Sequence, residues 1–235
     1  MTIRSRLRLW LEVIISFIAV MASIMIWQNV RILHIALLLF GIVIPFILLP
    51  EKVHFADIPR QLGFQRHNIP VQIFYGILSA LACYASYLVL TAVCYWTVLR
   101  ENYTIEIISL LPSYSQATPT QIMMLILLIL EIVFCEEIYF RGYLMNRFGQ
   151  LISNQYLSVF IIAMIFGLAH MPGQISDLDS ITDLYAVFVW RFIVSFIPGL
   201  FWVKLKNYTL LSTMTAHLIT NFCAYFLFQG AIIPV

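Results

Sequence analysis

Long apolar segments restrict this sequence to one kind of fold. Seven of them lie at positions 9–27, 32–49, 70–97, 119–148, 154–170, 184–204 and 208–228. About twenty apolar residues cross a bilayer as a helix, and inside lipid the backbone polar groups must be satisfied within the segment, which favours helices over open strands. The sequence therefore predicts an all-α fold, a polytopic membrane helix bundle of about seven transmembrane helices, forming a single integral-membrane domain over residues 1–235.

Composition agrees with this interpretation and excludes other classes of protein. Hydrophobic residues make up 62% of the chain and charged residues only 10%, whereas soluble domains are nearer one half apolar and one quarter charged. Because no basic patch with interleaved aromatic residues exists, nucleic acid is not an expected partner. The expected surroundings are the lipid bilayer of a multi-pass membrane protein.

Arginine and lysine predict the orientation of the bundle. Nine of them fall before the first segment or in alternate loops after it, and only two fall in the other loops. The nine are Arg4, Arg6, Arg8, Lys52, Arg60, Arg66, Arg147, Lys204 and Lys206, and the two are Arg31 and Arg100. Since loops rich in these residues stay in the cytoplasm, the N-terminus is predicted to be cytoplasmic. With seven spans, the C-terminus lies on the far side.

Two adjacent carboxylates interrupt the fourth apolar segment, in the stretch EIVFCEEIYFRGYLMNR over 131–147. Ionisable groups at membrane depth are expensive, so Glu136, Glu137 and Arg141 must be paired, solvated or used. Glu137 and Arg141 are spaced i, i+4 and share a helix face, whereas Glu136 points about 100° away from Glu137. We expect Glu137 to pair with Arg141 and Glu136 to face a cavity.

Two further segments carry polar residues at the same helical spacing. The fifth ends in FGLAH, with Phe166 and His170, and the seventh contains HLITN, with His217 and Asn221. Counted from the nearest cytoplasmic turn at 1.5 Å per residue, Glu136 lies about 21 Å deep, His170 about 25 Å, and the other two about 14 and 20 Å. Tilt absorbs this spread, so three helices are predicted to bring these groups into one cavity inside the membrane.

Each of these residues also has a structural explanation. Glu136 alone is more typical of a hydrogen bond between packed helices than of a catalytic base, and His170 at a helix end could simply cap carbonyl groups. His217 and Asn221 could bridge helices through hydrogen bonds, a common use of such residues in bilayers. The matching positions on three segments favour a shared site. Phe166 is expected to serve packing in either case.

The remaining polar residues of the apolar segments carry weaker expectations. Glu131 is not expected to be catalytic, although its position allows it to face the cavity. Arg191 on the sixth segment is expected to meet Asp183 or a lipid phosphate. Histidines near the predicted interfaces are expected to be solvated; these are His34, His54 and His67.

The three motifs together resemble those of a known family. EEIYFR matches the pattern EExxxR, FGLAH the pattern FxxxH, and HLITN the pattern HxxxN. In this order they are similar to the CAAX protease and bacteriocin-processing (CPBP, or Abi) family of intramembrane glutamate proteases, which includes the CAAX prenyl endopeptidases. The motif-bearing core is predicted over residues 119–228.

This resemblance implies an intramembrane endopeptidase. Glu136 would act with His170 to activate a water molecule, and His217 with Asn221 would stabilise the oxyanion. Glu137 and Arg141 would support the site. The substrate would be a membrane-associated or prenylated protein or peptide, such as a C-terminal CAAX peptide or a leader peptide. Small size and short loops favour a prokaryotic cell membrane, where the family is associated with bacteriocin processing and self-immunity.

No cofactor is predicted for this chemistry. Two histidines and a glutamate resemble a zinc site, which makes a metalloendopeptidase-like mechanism worth considering. However, the HExxH arrangement is absent, and Asn221 is a poor zinc ligand but a good hydrogen-bond donor. We therefore predict that no metal is bound.

Two other classes of function remain open from the sequence. The first is a non-catalytic membrane protein, either an immunity factor or a scaffold that regulates a membrane sensor. The second is a proton-coupled carrier in which Glu136 and His170 form a relay. The carrier is less favoured because the sequence has neither an inverted repeat nor a pair of broken helices of the transporter kind.

Overall fold

A computed structural model of the chain describes residues 3–27, 30–48, 57–94, 103–109, 117–171, 181–224 and 228–234. The helical elements, of which π1 and π2 are π-helical, follow in chain order. They are α1 (Ile3–Trp27), α2 (Val30–Leu38), π1 (Leu39–Leu48), α3 (Ile58–Gln61), α4 (Ile69–Cys94), α5 (Pro119–Glu137), π2 (Ile138–Met145), α6 (Asn146–Leu151), α7 (Gln155–Ala169), α8 (Ile181–Lys204) and α9 (Leu210–Phe222).

Every apolar segment predicted to be a span contains a helix of the structure. The helical character of the fold is therefore confirmed. Within the described residues, two helices are long and apolar enough to cross a membrane, Ile69–Val93 and Val187–Lys204. Crossing by all seven segments, the cytoplasmic N-terminus and the single-domain organisation stay predictions.

One two-stranded ribbon departs from the predicted all-α fold. Strand β1 (Tyr103–Ser109) pairs antiparallel with β2 (Phe228–Pro234), so that Tyr103 lies opposite Pro234. The sequence YTIEIIS is rich in β-branched and aromatic residues, which fit a strand, but it falls between the third and fourth apolar segments, where no strand was predicted. Because β1 follows α4 and β2 follows α9, the ribbon connects the segments that come after these two neighbouring helices.

Helices α4 and α9 run in the same direction, side by side. Gln72 accepts a hydrogen bond from Thr209 near their starts, and the Tyr84 hydroxyl donates to the Thr220 carbonyl further along. Gly76 lies between these contacts, where a β-carbon would be 2.7 Å from the Ser212 carbonyl oxygen. Glycine thus permits a close approach that sets the position of α9 and its motif.

The motif-bearing helices α5 and α7 begin at well-defined caps. Thr118 and Gln121 form a capping box at the start of α5, and the Asn154 side chain accepts hydrogen bonds from two backbone N–H groups of α7. Such caps satisfy backbone donors that have no partner within the helix. They define where each of the two helices begins.

The π-helix π2 lies at the centre of the bundle, directly after the two glutamates. Tyr139, Tyr143 and Leu144 are buried there, in a cluster that also includes residues of α1, α2 and α7. Gly41 of π1 permits close packing, since a β-carbon would lie 3.4 Å from the Tyr139 Cα atom. The segment carrying Arg141 is therefore surrounded by packed helices.

Helix α1 reaches π2 through polar contacts. The Tyr143 hydroxyl and the Arg147 Nε atom each lie 3.1 Å from the same Glu12 carboxylate oxygen. One turn along α1, the Ser16 and Tyr139 hydroxyls are 3.1 Å apart. The first helix is thus tied to the central segment by both hydrogen bonds and an ion pair.

We expect Gly76→Ala to destabilise the protein by about 1–3 kcal/mol, because the added methyl group overlaps backbone and side-chain atoms of α9. The measurement is the free energy of unfolding in detergent micelles. Gly149→Ala is the matched control, since a β-carbon there meets no atom within 4 Å. An unchanged stability of Gly76→Ala would contradict the proposed close approach.

Candidate active site

The structure brings Glu136 together with two histidines from other helices. The Nε2 atom of His170, next to the end of α7, lies 3.5 Å from Glu136 Oε1. The Nε2 atom of His217, on α9, lies 3.7 Å from Glu136 Oε2. Glu136 is 7% exposed and His217 only 1%. Three predicted site residues thus meet in a buried place, as expected from their positions in the sequence.

Glu137 is held by two partners, Arg141 one turn later in the chain and His217 of α9. Its Oε1 atom lies 3.0 Å from the Arg141 Nη1 atom and 2.8 Å from the His217 Nδ1 atom. The ion pair with Arg141 confirms the expected i, i+4 pairing, whereas the contact with His217 was not predicted. Since a carboxylate accepts, the Nδ1 atom of His217 donates, which leaves its Nε2 atom directed at Glu136.

Arg141 links this pair to a third helix. Its Nη2 atom donates to the Val194 carbonyl of α8, at 3.3 Å, and its guanidinium lies 5.0 Å from the centre of the Phe166 ring. Arg141 is fully buried. A buried cation that faces a carboxylate, a carbonyl and an aromatic ring is compensated on several sides.

His170 is oriented by the end of its own helix. Its Nδ1 atom lies 2.7 Å from the Phe166 carbonyl oxygen, four residues earlier. Because a carbonyl oxygen only accepts, Nδ1 carries the proton and Nε2 is turned towards Glu136. The capping role considered for His170 is therefore present and also aims the ring at the carboxylate.

Several buried polar atoms at this place have no hydrogen-bond partner among the described residues. They are Oε2 of Glu136 and of Glu137, Nε and Nη1 of Arg141, and Nε2 of His217; Nη1 makes an ion pair whose angle does not suit a hydrogen bond. Unpaired buried groups are costly and rare in native proteins. Their concentration around Glu136 distinguishes this place from ordinary helix packing.

Asn221 lies one turn after His217 on α9 and is 5% exposed. Within the part of the chain that the structure describes, its amide forms no hydrogen bond. Asn221 therefore does not act as a bridge between the described helices, although it shares a face with His217. Phe166 is fully buried, in agreement with the expected packing role.

Sequence reasoning missed Arg191 as a neighbour of the site. Its guanidinium is near enough to Glu136 for an electrostatic interaction between the two groups. The side chain of Asp183, its expected partner, lies outside the described residues. A single arginine within a predicted span was the signal that could have identified it.

The expectation for His34 was wrong. Its side chain is buried, and its Nδ1 atom lies 2.8 Å from Glu131 Oε1, which joins α2 to α5. Proximity of a residue to a predicted helix end does not report which face of the helix it occupies. His67 is exposed as expected, and His54 lies outside the described residues.

No group of three or more His, Cys, Asp and Glu side chains in the described ranges has a geometry that could hold a metal ion. The nearest arrangement, Glu136 with His170 and His217, has both Nε2 atoms directed at one carboxylate. Absence of a cofactor stays a prediction.

We expect Arg141→Gln to destabilise the protein by about 3–5 kcal/mol, because it leaves the Glu137 carboxylate buried beside His217 without its cation. The free energy of unfolding in detergent measures this effect. Arg60→Gln removes an exposed cation from α3 and should leave stability close to that of the unchanged protein. Equal stability of both variants would show that the Glu137–Arg141 pair contributes nothing.

Comparison with known proteins agrees with the three motifs. Residues 118–223 match the family model described as type II CAAX prenyl endopeptidase Rce1-like. This range is slightly less than half of the chain and runs from the cap of α5 to just beyond α9, so it contains Glu136, His170, His217 and Asn221. No curated protein and no solved structure matches the chain. The resemblance drawn from the motifs is therefore confirmed over residues 118–223, which are similar to the Rce1-like family of type II CAAX prenyl endopeptidases.

Proposed function

We propose that this chain is an intramembrane endopeptidase that hydrolyses a peptide bond of a membrane-associated or prenylated protein or peptide. One observation carries the proposal. The buried carboxylate of Glu136 is faced by Nε2 atoms of two histidines that come from two different helices. The family match supports a protease of the CAAX type, and the assignment of roles to residues is our own.

Glu136 and His170 would activate the attacking water. The distance of 3.5 Å between Glu136 Oε1 and His170 Nε2 exceeds that of a strong hydrogen bond, and a water molecule beside the pair could lie within hydrogen-bond distance of both atoms. Glu136 takes a proton from the water molecule while the oxygen of that water forms a bond to the peptide carbonyl carbon. The proton then passes to the amide nitrogen, the C–N bond breaks, and a carboxylic acid and an amine are released.

His217 and Asn221 would stabilise the negative oxygen of the tetrahedral intermediate. Because the Nδ1 atom of His217 donates to Glu137, its Nε2 atom would donate to the substrate only when the ring carries a second proton, as an imidazolium. The Asn221 amide, which has no other partner in the described part, supplies a second donor. Donors that are oriented before the reaction are worth more than mobile ones.

Substrate and setting follow from the resemblance. The proposed substrates are a prenylated C-terminal CAAX peptide, a leader peptide and a membrane-anchored protein. In a prokaryotic cell membrane, bacteriocin processing or self-immunity would be the physiological use. The proposed topology is multi-pass, with the N-terminus in the cytoplasm.

We expect Glu136→Gln to lower kcat for cleavage of a prenylated CAAX peptide by about 10²–10⁴-fold, because glutamine cannot accept the proton of the attacking water. The assay uses purified protein in lipid vesicles, with product detection by mass spectrometry.

Glu131→Gln is the matched control for this experiment. Glu131 lies on the same helix, but its carboxylate contacts His34 and is about half exposed, with a side-chain exposure of 48%. The kcat of Glu131→Gln should stay within a few-fold of that of the unchanged protein. Full cleavage by Glu136→Gln would refute the proposal. Immunity that persists without Glu136 or His170 would instead favour a non-catalytic immunity or scaffold protein.

We further propose that hydrolysis needs no metal. Cleavage by the purified protein should be unchanged after incubation with a zinc chelator, and elemental analysis should find well under one zinc per active protein molecule. Loss of cleavage that added zinc restores would contradict this proposal and assign the two histidines to a metal site.

A further inference from the structure

Arg191 is a charged residue on α8 that the proposed mechanism does not use. It is half-buried, and its helical neighbours Ile193 and Val194 are buried. The adjacent Trp190 packs on Tyr84 of α4, with ring centres 5.0 Å apart. Among the described residues, Arg191 forms no hydrogen bond or ion pair. A cation on a helix of a membrane protein is costly unless it meets an anion, so a partner is expected.

The register between α8 and π2 places Arg191 level with the two glutamates. Arg141 bonds the Val194 carbonyl, and four residues further on, Met145 approaches Gly199. The two segments therefore run in the same direction. Arg191 precedes Val194 by three residues, or about 4.5 Å, and Glu137 precedes Arg141 by about one turn, so both lie at a similar height.

Glu136 does not neutralise Arg191 directly. The groups within ion-pair distance of the Glu136 carboxylate are His170 and His217. The charge of Arg191 reaches Glu136 only through space, as part of the electrostatic field at the site. Because no described anion contacts the guanidinium, its paired N–H groups suit an anion that enters with the substrate.

We propose that Arg191 binds the C-terminal carboxylate of the peptide substrate, and so determines how far from the chain end the bond is cut. The inference rests on the proposed endopeptidase function. Three extended residues span at most about 10 Å, so a carboxylate three residues beyond the bond cut at Glu136 would lie no more than about that distance from the bond. A planar guanidinium matches a carboxylate with two parallel hydrogen bonds.

The test compares two prenylated CAAX peptides that differ only in the C-terminal group, one a free acid and one an amide. The unchanged protein should cleave the acid with a kcat/KM about 10–100-fold higher, because a charge-assisted contact is lost in the amide. Arg191→Gln should lower kcat/KM for the acid peptide to the value for the amide peptide, mainly by raising KM. It should leave kcat/KM for the amide peptide unchanged.

Lys204→Gln is the matched control on the same helix. Lys204 lies at the far end of α8, with its Nζ atom 5.6 Å from the centre of the Tyr156 ring. Its removal deletes a cation without approaching Glu136, so the ratio between acid and amide should not change.

Other outcomes would overturn the inference. Equal cleavage of acid and amide by the unchanged protein would exclude carboxylate recognition and leave the endopeptidase proposal intact. An equal fall in kcat for both peptides in Arg191→Gln would show that Arg191 acts on Glu136 instead.

Binding separates failure of the inference from failure of the proposed function. The same two peptides are titrated against Glu136→Gln and against the variant that also carries Arg191→Gln. If Glu136→Gln binds the acid more tightly than the amide, and the added Arg191→Gln change removes this difference, the inference is supported even if no cleavage is found. Equal binding of acid and amide overturns it.

Discussion

The site depends on one buried carboxylate. Glu137 contacts Arg141 on its own helix and His217 on α9, while Arg141 continues to the backbone of α8. Three helices are thus connected through a single group that water does not reach. Isolated charges in such surroundings are unfavourable, so the connection exists only when all its members are present and correctly placed. Its consequence is that the His217 ring has a defined orientation and directs its Nε2 atom at Glu136.

Phe166 serves the same site by apolar means. Its ring lies 4.5 Å from the centre of the His170 ring and 5.9 Å from that of His217, and it also faces the guanidinium of Arg141. The backbone carbonyl of the same residue accepts from His170. One phenylalanine therefore packs against three polar groups and excludes solvent from between them, which strengthens the electrostatic interactions among them. Phe166, the first residue of the FxxxH motif, thus serves to pack the polar groups of the site together.

Contacts from outside the family match also support the central segment. Helix α1 precedes the matched range 118–223, yet its Glu12 and Ser16 side chains bond residues of π2 and α6. The π-helix carries Arg141 and departs from regular α geometry, a feature that is frequent at functional sites and needs support from its surroundings. The N-terminal helices thus hold the segment on which the charged groups depend.

The sequence by itself determined the helices, the pairing of Glu137 with Arg141 and the meeting of Glu136 with two histidines. The helices and the ion pair follow from the length of apolar segments and from the 3.6-residue period, which are properties of a single helix, and the meeting follows from the similar depth of these groups on three segments. Only the tertiary structure decided that His217 bonds Glu137, that His34 is buried and that Arg191 lies level with the glutamates. Those facts depend on how each helix is rotated and shifted against its neighbours. Packing around small residues such as Gly41 and Gly76 sets that arrangement, and no spacing within one helix reports it.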